Sequence, residues 1–128
     1  MKQNAPDLWT YLIEGFEVRW MNLTKCNLFM YEVVKQLKVH ERARASFEVV
    51  SPLIDHHPAV TVLCGITESE IALTTYPGHE YARLLISTGK LPQRDVTIIS
   101  AVFRDFFHAR MQTERYLAAP EGNFFGTK

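Results

Sequence analysis

Two runs of alternating apolar residues are joined by Glu68-Ser69-Glu70, which places a hydroxyl group between two carboxylates. Strand connections usually contain Gly, Asn, Asp or Pro, because these residues reach turn dihedrals at low cost. A serine held in a strained link can attack its own preceding carbonyl, so that the amide becomes an ester. The junction is therefore open to two interpretations, a self-modifying serine or a polar corner.

Two other groups of residues could do chemistry, and their patterns argue against it. His56 and His57 are adjacent on an extended segment, where neighbouring side chains point apart, so we predict no metal site there or elsewhere. Cys26 and Cys64 form no CxxC motif, and one pair does not make a disulfide framework. We predict two buried thiols in a reducing compartment.

The composition indicates a packed globular domain without a strong charge bias. The chain has 128 residues, of which 47% are hydrophobic and 22% charged, with 14 basic and 14 acidic residues. This balance does not favour a nucleic-acid or membrane partner. The sequence shows neither a signal peptide nor an apolar run long enough to cross a membrane, so we expect a cytoplasmic protein.

The elements that position these residues follow from apolar periodicity. Helical spacing predicts helices over 23–39, capped by Asn22, and over 93–111, with Pro92 at its start. Alternation predicts six strands, over 8–18, 44–50, 59–66, 71–76, 81–87 and 115–118. The fourth and fifth form a hairpin around Pro77-Gly78-His79-Glu80. We expect one domain over 1–118 and a C-terminal tail over 119–128.

The order β-α-β-β-β-β-α-β predicts an α+β fold, a two-layer sandwich. An antiparallel sheet would carry both helices on one face. The other face is then bare, and we expect a second copy of the chain to cover it.

From about residue 8 to residue 117, the chain resembles the S-adenosylmethionine decarboxylase family. Bacterial members read E-S-H-L-T-I-H-T-W-P-E with T-C-G further on, where this chain reads E-S-E-I-A-L-T-T-Y-P-G with Ser87-Thr88-Gly89. The stretch Glu14-Gly15-Phe16-Glu17 is similar to an E-G-x-E stretch of eukaryotic members.

The resemblance implies a pyruvoyl enzyme. Self-cleavage between Glu68 and Ser69 would convert Ser69 into a pyruvoyl group, the only cofactor implied. The pyruvoyl ketone would condense with the substrate amine and act as an electron sink for decarboxylation of S-adenosylmethionine, which leads to spermidine. Glu14, Glu17, Tyr76 and Glu80 would bind the substrate.

The sequence departs from the family pattern at positions with separate roles. The histidine that assists processing is replaced by Thr74, and the cysteine that donates a proton falls at Thr88 or Gly89. Threonine is not a general base at neutral pH. The family's acidic residue after Trp-Pro falls at Gly78, with Glu80 two residues away. Glu70 replaces a histidine or neutral residue and would disfavour a developing oxyanion beside it.

Two residues of the chain are candidates to replace the lost groups. Cys64 lies four residues before Glu68, roughly 13 Å along an extended strand, which is too far for proton transfer. His79 in the hairpin turn is the better candidate for a substitute base.

Three hypotheses remain open from the sequence. The chain is an active pyruvoyl decarboxylase, with S-adenosylmethionine or a smaller amino acid as substrate. Alternatively it is a catalytically altered homologue that binds a nucleoside-type ligand or a partner subunit. A third interpretation is an α+β dimer that binds a small molecule across its sheets without any role for Ser69. A homodimer or higher homo-oligomer is expected, or a mixed dimer with an active relative.

Overall fold

A computed structural model of the chain describes residues 8–19, 21–37, 46–50, 53–54, 57–58, 60–66, 69–89 and 91–119. Glu68, His56 and residues 120–128 of the predicted tail lie outside these ranges. The described strands are β1 (Trp9–Phe16), β2 (Ser46–Val50), β3 (Leu53–Ile54), β4 (His57–Pro58), β5 (Val60–Ile66), β6 (Ser69–Tyr76), β7 (Tyr81–Thr88) and β8 (Met111–Ala118). The helices are α1 (Leu23–Leu37) and α2 (Gln93–Phe107), and a 3-10 turn spans Pro77–His79.

Six of the strands form one antiparallel sheet in the order β2-β5-β6-β7-β1-β8, and β3 and β4 pair with each other. Strand β1, the first in the chain, is thus inserted between β7 and the last strand, β8. The predicted hairpin is formed by β6 and β7, with Tyr76 opposite Tyr81 at its closed end and Ser69 opposite Thr88 at its open end.

Both helices pack on one face of the sheet, which confirms the predicted two-layer α+β sandwich. Phe29 of α1 contacts the rings of Phe103 and Phe107 of α2 at centroid distances of 5.6 and 5.1 Å. Alternate residues of β1, β6 and β7 complete this core, namely Tyr11, Ile13, Ile71, Leu73, Ala82, Leu84 and Ile86. The residues that alternate with them lie on the opposite face, which we call the open face; they include Glu14 and Phe16 of β1, Tyr76 of β6, and Tyr81 and Arg83 of β7.

The first helix begins as predicted. The side-chain oxygen of Asn22 accepts a 2.8 Å hydrogen bond from the backbone N–H of Lys25, which caps the helix. Cys26 is fully buried on the apolar side of α1, and burial raises the pKa of its thiol to about 11. The prediction of a buried thiol is therefore confirmed for Cys26; the side chain of Cys64 is outside the described set.

The second helix is shorter than predicted, because it ends at Phe107 and not at residue 111. His108 adopts φ 50° and donates its backbone N–H to the carbonyl of Arg104, which terminates the helix with a left-handed residue. Arg110 then donates its N–H to the carbonyl of Phe16, and β8 starts at Met111. The prediction that His108 and Arg110 form the last helical turn was wrong, and β8 is four residues longer at its start than predicted.

Candidate functional site

The Glu-Ser junction lies where β5 and β6 meet. Ser69 is the first residue of β6, and its backbone pairs with Ile66 of β5 and Thr88 of β7. This register leaves residues 67 and 68 as the connection, and both lie outside the described residues. The structure thus places Ser69 at a strand connection, as predicted from the sequence.

The residue opposite Ser69 is Thr88, which is one of the two positions, with Gly89, at which the resemblance implied a cysteine. Thr88 is buried, with 8% of its surface exposed. Trp9 of β1 is the next residue along this row of the sheet. Because neither β6 nor β7 contains a histidine or a cysteine, these strands bring no imidazole or thiol beside Ser69.

His79 is not brought near Ser69 within one chain. It lies in the exposed 3-10 turn at the closed end of the β6–β7 hairpin. Seven residue steps of β6 separate Ser69 from Tyr76, which is about 23 Å at the rise of an extended strand. The predicted role of His79 as substitute base therefore finds no support from the geometry of a single chain.

Glu14 lies at the centre of a polar cluster on the open face. Its carboxylate accepts a 2.5 Å hydrogen bond from the hydroxyl of Tyr81 on β7 and a 3.2 Å hydrogen bond from the guanidinium of Arg115 on β8. The hydroxyl of Thr113, also on β8, donates to the same carboxylate at 3.5 Å. We call Glu14, Tyr81, Thr113 and Arg115 the carboxylate cluster. It joins side chains of three adjacent strands.

The hydrogen bonds of the carboxylate cluster shift the pKa values of Glu14 and Tyr81. The Tyr81 hydroxyl, and to a lesser extent Arg115 and Thr113, lower the pKa of Glu14 against the opposing effect of burial. Burial, the hydrogen bond to Glu14 and its charge raise the pKa of Tyr81 to about 12. The pair is therefore a carboxylate and a neutral phenol over the whole physiological pH range.

An aromatic row lies beside this cluster. Phe16, Tyr81 and Tyr76 occupy directly opposite positions on β1, β7 and β6. The ring centroid of Tyr81 is 5.4 Å from that of Phe16 and 5.7 Å from that of Tyr76. All three side chains are half-buried, so each keeps a surface that a planar ligand can contact.

Arg83 connects the aromatic row with the carboxylate cluster. Its guanidinium carbon lies 6.0 Å from the ring centroid of Tyr76, at the limit of a cation–π contact. Arg83 is also close enough to Tyr81 to oppose the rise in the pKa of that residue. In the sheet, Arg83 is opposite both Glu14 and Thr74.

Of the predicted substrate-binding residues, Glu14 and Tyr76 both lie on the open face, whereas Glu17 and Glu80 lie at its edge. Glu17 follows β1 with φ 58° and forms a 3.4 Å ion pair with Arg110. Glu80 is exposed in the hairpin turn with φ 50°. Its carbonyl accepts a 2.8 Å hydrogen bond from the N–H of Val18, which holds these two segments together.

Sequence reasoning did not single out Tyr81, Arg83, Arg115 or Phe16 as binding residues. A partial signal was present, because Arg83 alternates with the buried Ala82 and Leu84 and so had to lie on the open face. No pattern in the sequence indicated that Arg115 lies close to Glu14, because this contact depends on the pairing of β8 with β1.

The described residues contain no group of three or more His, Cys, Asp or Glu side chains that could hold a metal ion. In the same part of the chain, no helix has the length and apolar character needed to cross a membrane.

Comparisons with known proteins show the class of fold. No family model matches the chain, and no curated protein matches its sequence. Among solved structures, the chain is similar to the adenosylmethionine decarboxylase from Aquifex aeolicus VF5, with a TM-score of 0.66 and 10% sequence identity. The match covers 94% of this chain and 98% of the Aquifex chain.

This likeness shows that the chain has the S-adenosylmethionine decarboxylase-like fold over nearly its whole length. At 10% sequence identity, this similarity supports an assignment of the fold and not of an activity.

Proposed function

We propose that this protein is a catalytically altered relative of the S-adenosylmethionine decarboxylases that binds a small nucleoside-type molecule on the open face of its sheet. The observation that carries the proposal is the contrast between two places in the fold. The carboxylate cluster and the aromatic row form a connected polar and aromatic surface, whereas the residue opposite Ser69 is Thr88, and neither Thr88 nor Gly89 carries the thiol that the family resemblance implied.

The chemistry of the Ser69 row disfavours decarboxylation. Pyruvoyl formation requires removal of the α-proton of Ser69, and turnover requires a proton donor near the new carbanion. Threonine hydroxyls at positions 74 and 88 do not transfer protons at neutral pH as an imidazole or a thiol does. Thr74 is also five residue steps from Ser69, about 17 Å along the strand.

The open face offers the groups that a nucleoside needs. A planar base can contact the half-buried rings of Tyr76 and Phe16. Ribose hydroxyls can donate to the Glu14 carboxylate, which remains ionised because its pKa is lowered. The Glu14 side chain keeps 20% of its surface exposed, so a ligand can reach it without displacing Tyr81.

A second copy of the chain is the partner we propose for the open face. Two sheets facing each other would exclude water from the aromatic row and enclose a ligand between them. A mixed dimer with an active relative would use the same surface.

A self-processing pyruvoyl decarboxylase is the second candidate function. It is favoured by the Glu68-Ser69 dipeptide, because an altered homologue has no chemical need for that junction. In this case Ser69 would be absent from the mature protein and its pyruvoyl group would be the cofactor.

Two measurements test these proposals. The intact mass of the denatured protein is expected to show one full-length species, and two fragments meeting at Glu68-Ser69 would favour the decarboxylase. Calorimetric titration with adenosine is then expected to show binding that Tyr76→Ala weakens. The matched control is Tyr31→Ala on α1, where a 64% exposed tyrosine lies in the other layer of the fold. Equal binding by both variants would contradict a site on the open face.

A further inference from the structure

We infer that the ligand of the open face carries an anionic group, a carboxylate or a phosphate, next to its planar ring. This inference rests on the proposed function, because it names the charge of the molecule that the same site binds.

The charges around the aromatic row carry the inference. Two arginines lie on this part of the open face. The guanidinium of Arg115 donates to the Glu14 carboxylate at 3.2 Å, and the guanidinium carbon of Arg83 lies 6.0 Å from the ring centroid of Tyr76. Three other acidic residues are described nearby, and Glu80 is exposed in the hairpin turn at the edge of the open face. Glu17 pairs with Arg110, and Glu70 lies four residue steps from Thr74, about 13 Å along β6. Arg115 is paired with Glu14, whereas Arg83 forms no ion pair with an acidic residue in the described part of the chain, so its positive charge beside the rings favours an anion.

The position of Arg83 suits it for recognition of a planar anion. The guanidinium of Arg83 lies at the limit of a cation–π contact with Tyr76, and its N–H donors lie in the plane of the group. Arg115 donates to Glu14, and its side chain is 55% exposed. Arg83 is directly opposite Glu14, yet the carboxylate accepts its shortest hydrogen bond from Tyr81. Arg83 is hydrogen-bonded to the side chain of Tyr81, and the other N–H donors of its five-donor guanidinium can bind a carboxylate or phosphate oxygen.

The spacing of residues along β7 fixes the distance between the aromatic row and the proposed site for the anionic group. Arg83 and Tyr81 are two residues apart on β7, so their positions on the open face are about 7 Å apart. A ligand whose ring contacts Tyr76 or Phe16 can therefore place an anionic substituent at Arg83 while it remains in contact with the aromatic row.

Two matched pairs of probes test the charge of the ligand. Adenosine is compared with adenosine 5′-monophosphate, and nicotinamide with nicotinate, by calorimetric titration of the full chain at low salt. Each pair has the same ring with and without an anionic group. We expect the anionic member of at least one pair to bind about tenfold more tightly, as a charge-assisted hydrogen bond provides. The pair that shows the preference distinguishes a phosphate from a carboxylate.

Arg83→Gln is expected to remove this preference, because the affinity for the anionic member falls more than the affinity for the neutral member. The control is Arg94→Gln, because Arg94 on α2 is exposed and lies in the other layer. If Arg83→Gln does not fold, as judged by circular dichroism, Arg115→Gln takes its place and should weaken the preference.

The outcomes separate the inference from the proposed function. Equal or tighter binding of the neutral members overturns the inference and leaves a nucleoside site standing. A preference that survives in the folded Arg83 and Arg115 variants also overturns it, because the anion then binds elsewhere. If none of the probes binds, both the inference and the proposed ligand function fail.

Discussion

Ser69 and Thr88 occupy directly opposite positions in the antiparallel ladder of β6 and β7. This relationship places Ser69 of the Glu-Ser junction in the same row of the sheet as a second hydroxyl residue, Thr88, which is one of the two positions, with Gly89, where the family resemblance implied a thiol. Any chemistry at Ser69 must therefore proceed beside a threonine. For this reason we propose that the protein binds a ligand and does not catalyse decarboxylation.

The register at Ser69 can be tested with a disulfide. Directly opposite residues of an antiparallel pair have α-carbons about 4.5 to 5.5 Å apart, within the range that a disulfide bridges. The double variant Ser69→Cys/Thr88→Cys places two cysteines at such positions. We expect oxidation to form this bond, identified by peptide mapping so that Cys26 and Cys64 are distinguished. Ser69→Cys/Ser87→Cys is the control one residue out of register. A disulfide that forms equally in the control would contradict the ladder.

The hydrogen bond between Tyr81 and Glu14 predicts a pH-dependent stability. Tyr81→Phe removes the donor that most lowers the pKa of Glu14, and we expect a loss of about 1 to 2 kcal/mol in the free energy of unfolding at pH 7. Because the pKa of Glu14 is lower in the folded state, its contribution is complete above the unfolded pKa and disappears as the pH falls through the folded value. The difference between the two proteins should shrink below about pH 4.

Urea unfolding of both proteins from pH 7 to acid measures this difference. Tyr31→Phe serves as the matched control, since Tyr31 is exposed and its substitution should change nothing. A stability difference that stays constant down to acid would show that Tyr81 acts through packing alone.

The hydrogen bond between Tyr81 and Glu14 also predicts a loss of stability at alkaline pH. The pKa of Tyr81 is raised to about 12 from its ordinary value of 10.0, so its contribution to stability is complete below pH 10 and is lost as the pH rises towards 12. Glu14→Gln removes a negative neighbour and should lower the pKa of Tyr81. Phenolate absorbance during a pH titration follows this change. An unaltered titration curve in Glu14→Gln would mean that burial alone raises the pKa of Tyr81.

Gly15 is a position where the packing of α2 on β1 admits no side chain. A Cβ at residue 15 would lie 2.8 Å from Cε1 of Phe103, 3.0 Å from Cβ of Ala109 and 3.1 Å from Cγ2 of Val18. We expect Gly15→Ala to destabilise the fold by about 1 to 3 kcal/mol through overpacking. Thermal unfolding measures the effect. The cost should be smaller in a Phe103→Leu background, and an equal cost in both backgrounds would rule out this contact as its source.

Burial of Cys26 predicts slow thiol chemistry. The thiol is fully buried in α1 with its pKa raised to about 11, so the reactive thiolate is scarce and inaccessible at pH 8. In a Cys64→Ser variant, where Cys26 is the only thiol, we expect labelling to require unfolding. The rate should follow the urea transition, and rapid labelling of the native protein would contradict the burial of Cys26.

Much of the fold was predictable from local patterns. The alternation of residues 71–76 and 81–87 identified the hairpin that β6 and β7 form, and the helical spacing after Asn22 identified α1. These predictions succeeded because periodicity and capping act over a few residues. The end of α2 was mispredicted, since apolar spacing continues past Phe107 while the left-handed conformation of His108 stops the helix.

The candidate site was predictable only in part. Glu14 and Tyr76 were expected to bind a substrate because of a family resemblance, and both lie on the open face. The resemblance gave no reason to choose Tyr81, Arg83 or Arg115. It also suggested His79 near Ser69, and these residues lie at opposite ends of one hairpin.

By itself, the sequence determined the order of the elements, the apolar faces that form the core and the hydroxyl junction at Ser69. The tertiary structure decided which strands are neighbours. Because β1 lies between β7 and β8, Glu14 accepts hydrogen bonds from Tyr81 and Arg115, which are 67 and 101 residues away in the chain. Such pairings depend on the closure of long loops and the burial of the whole sheet face, and no local pattern encodes them.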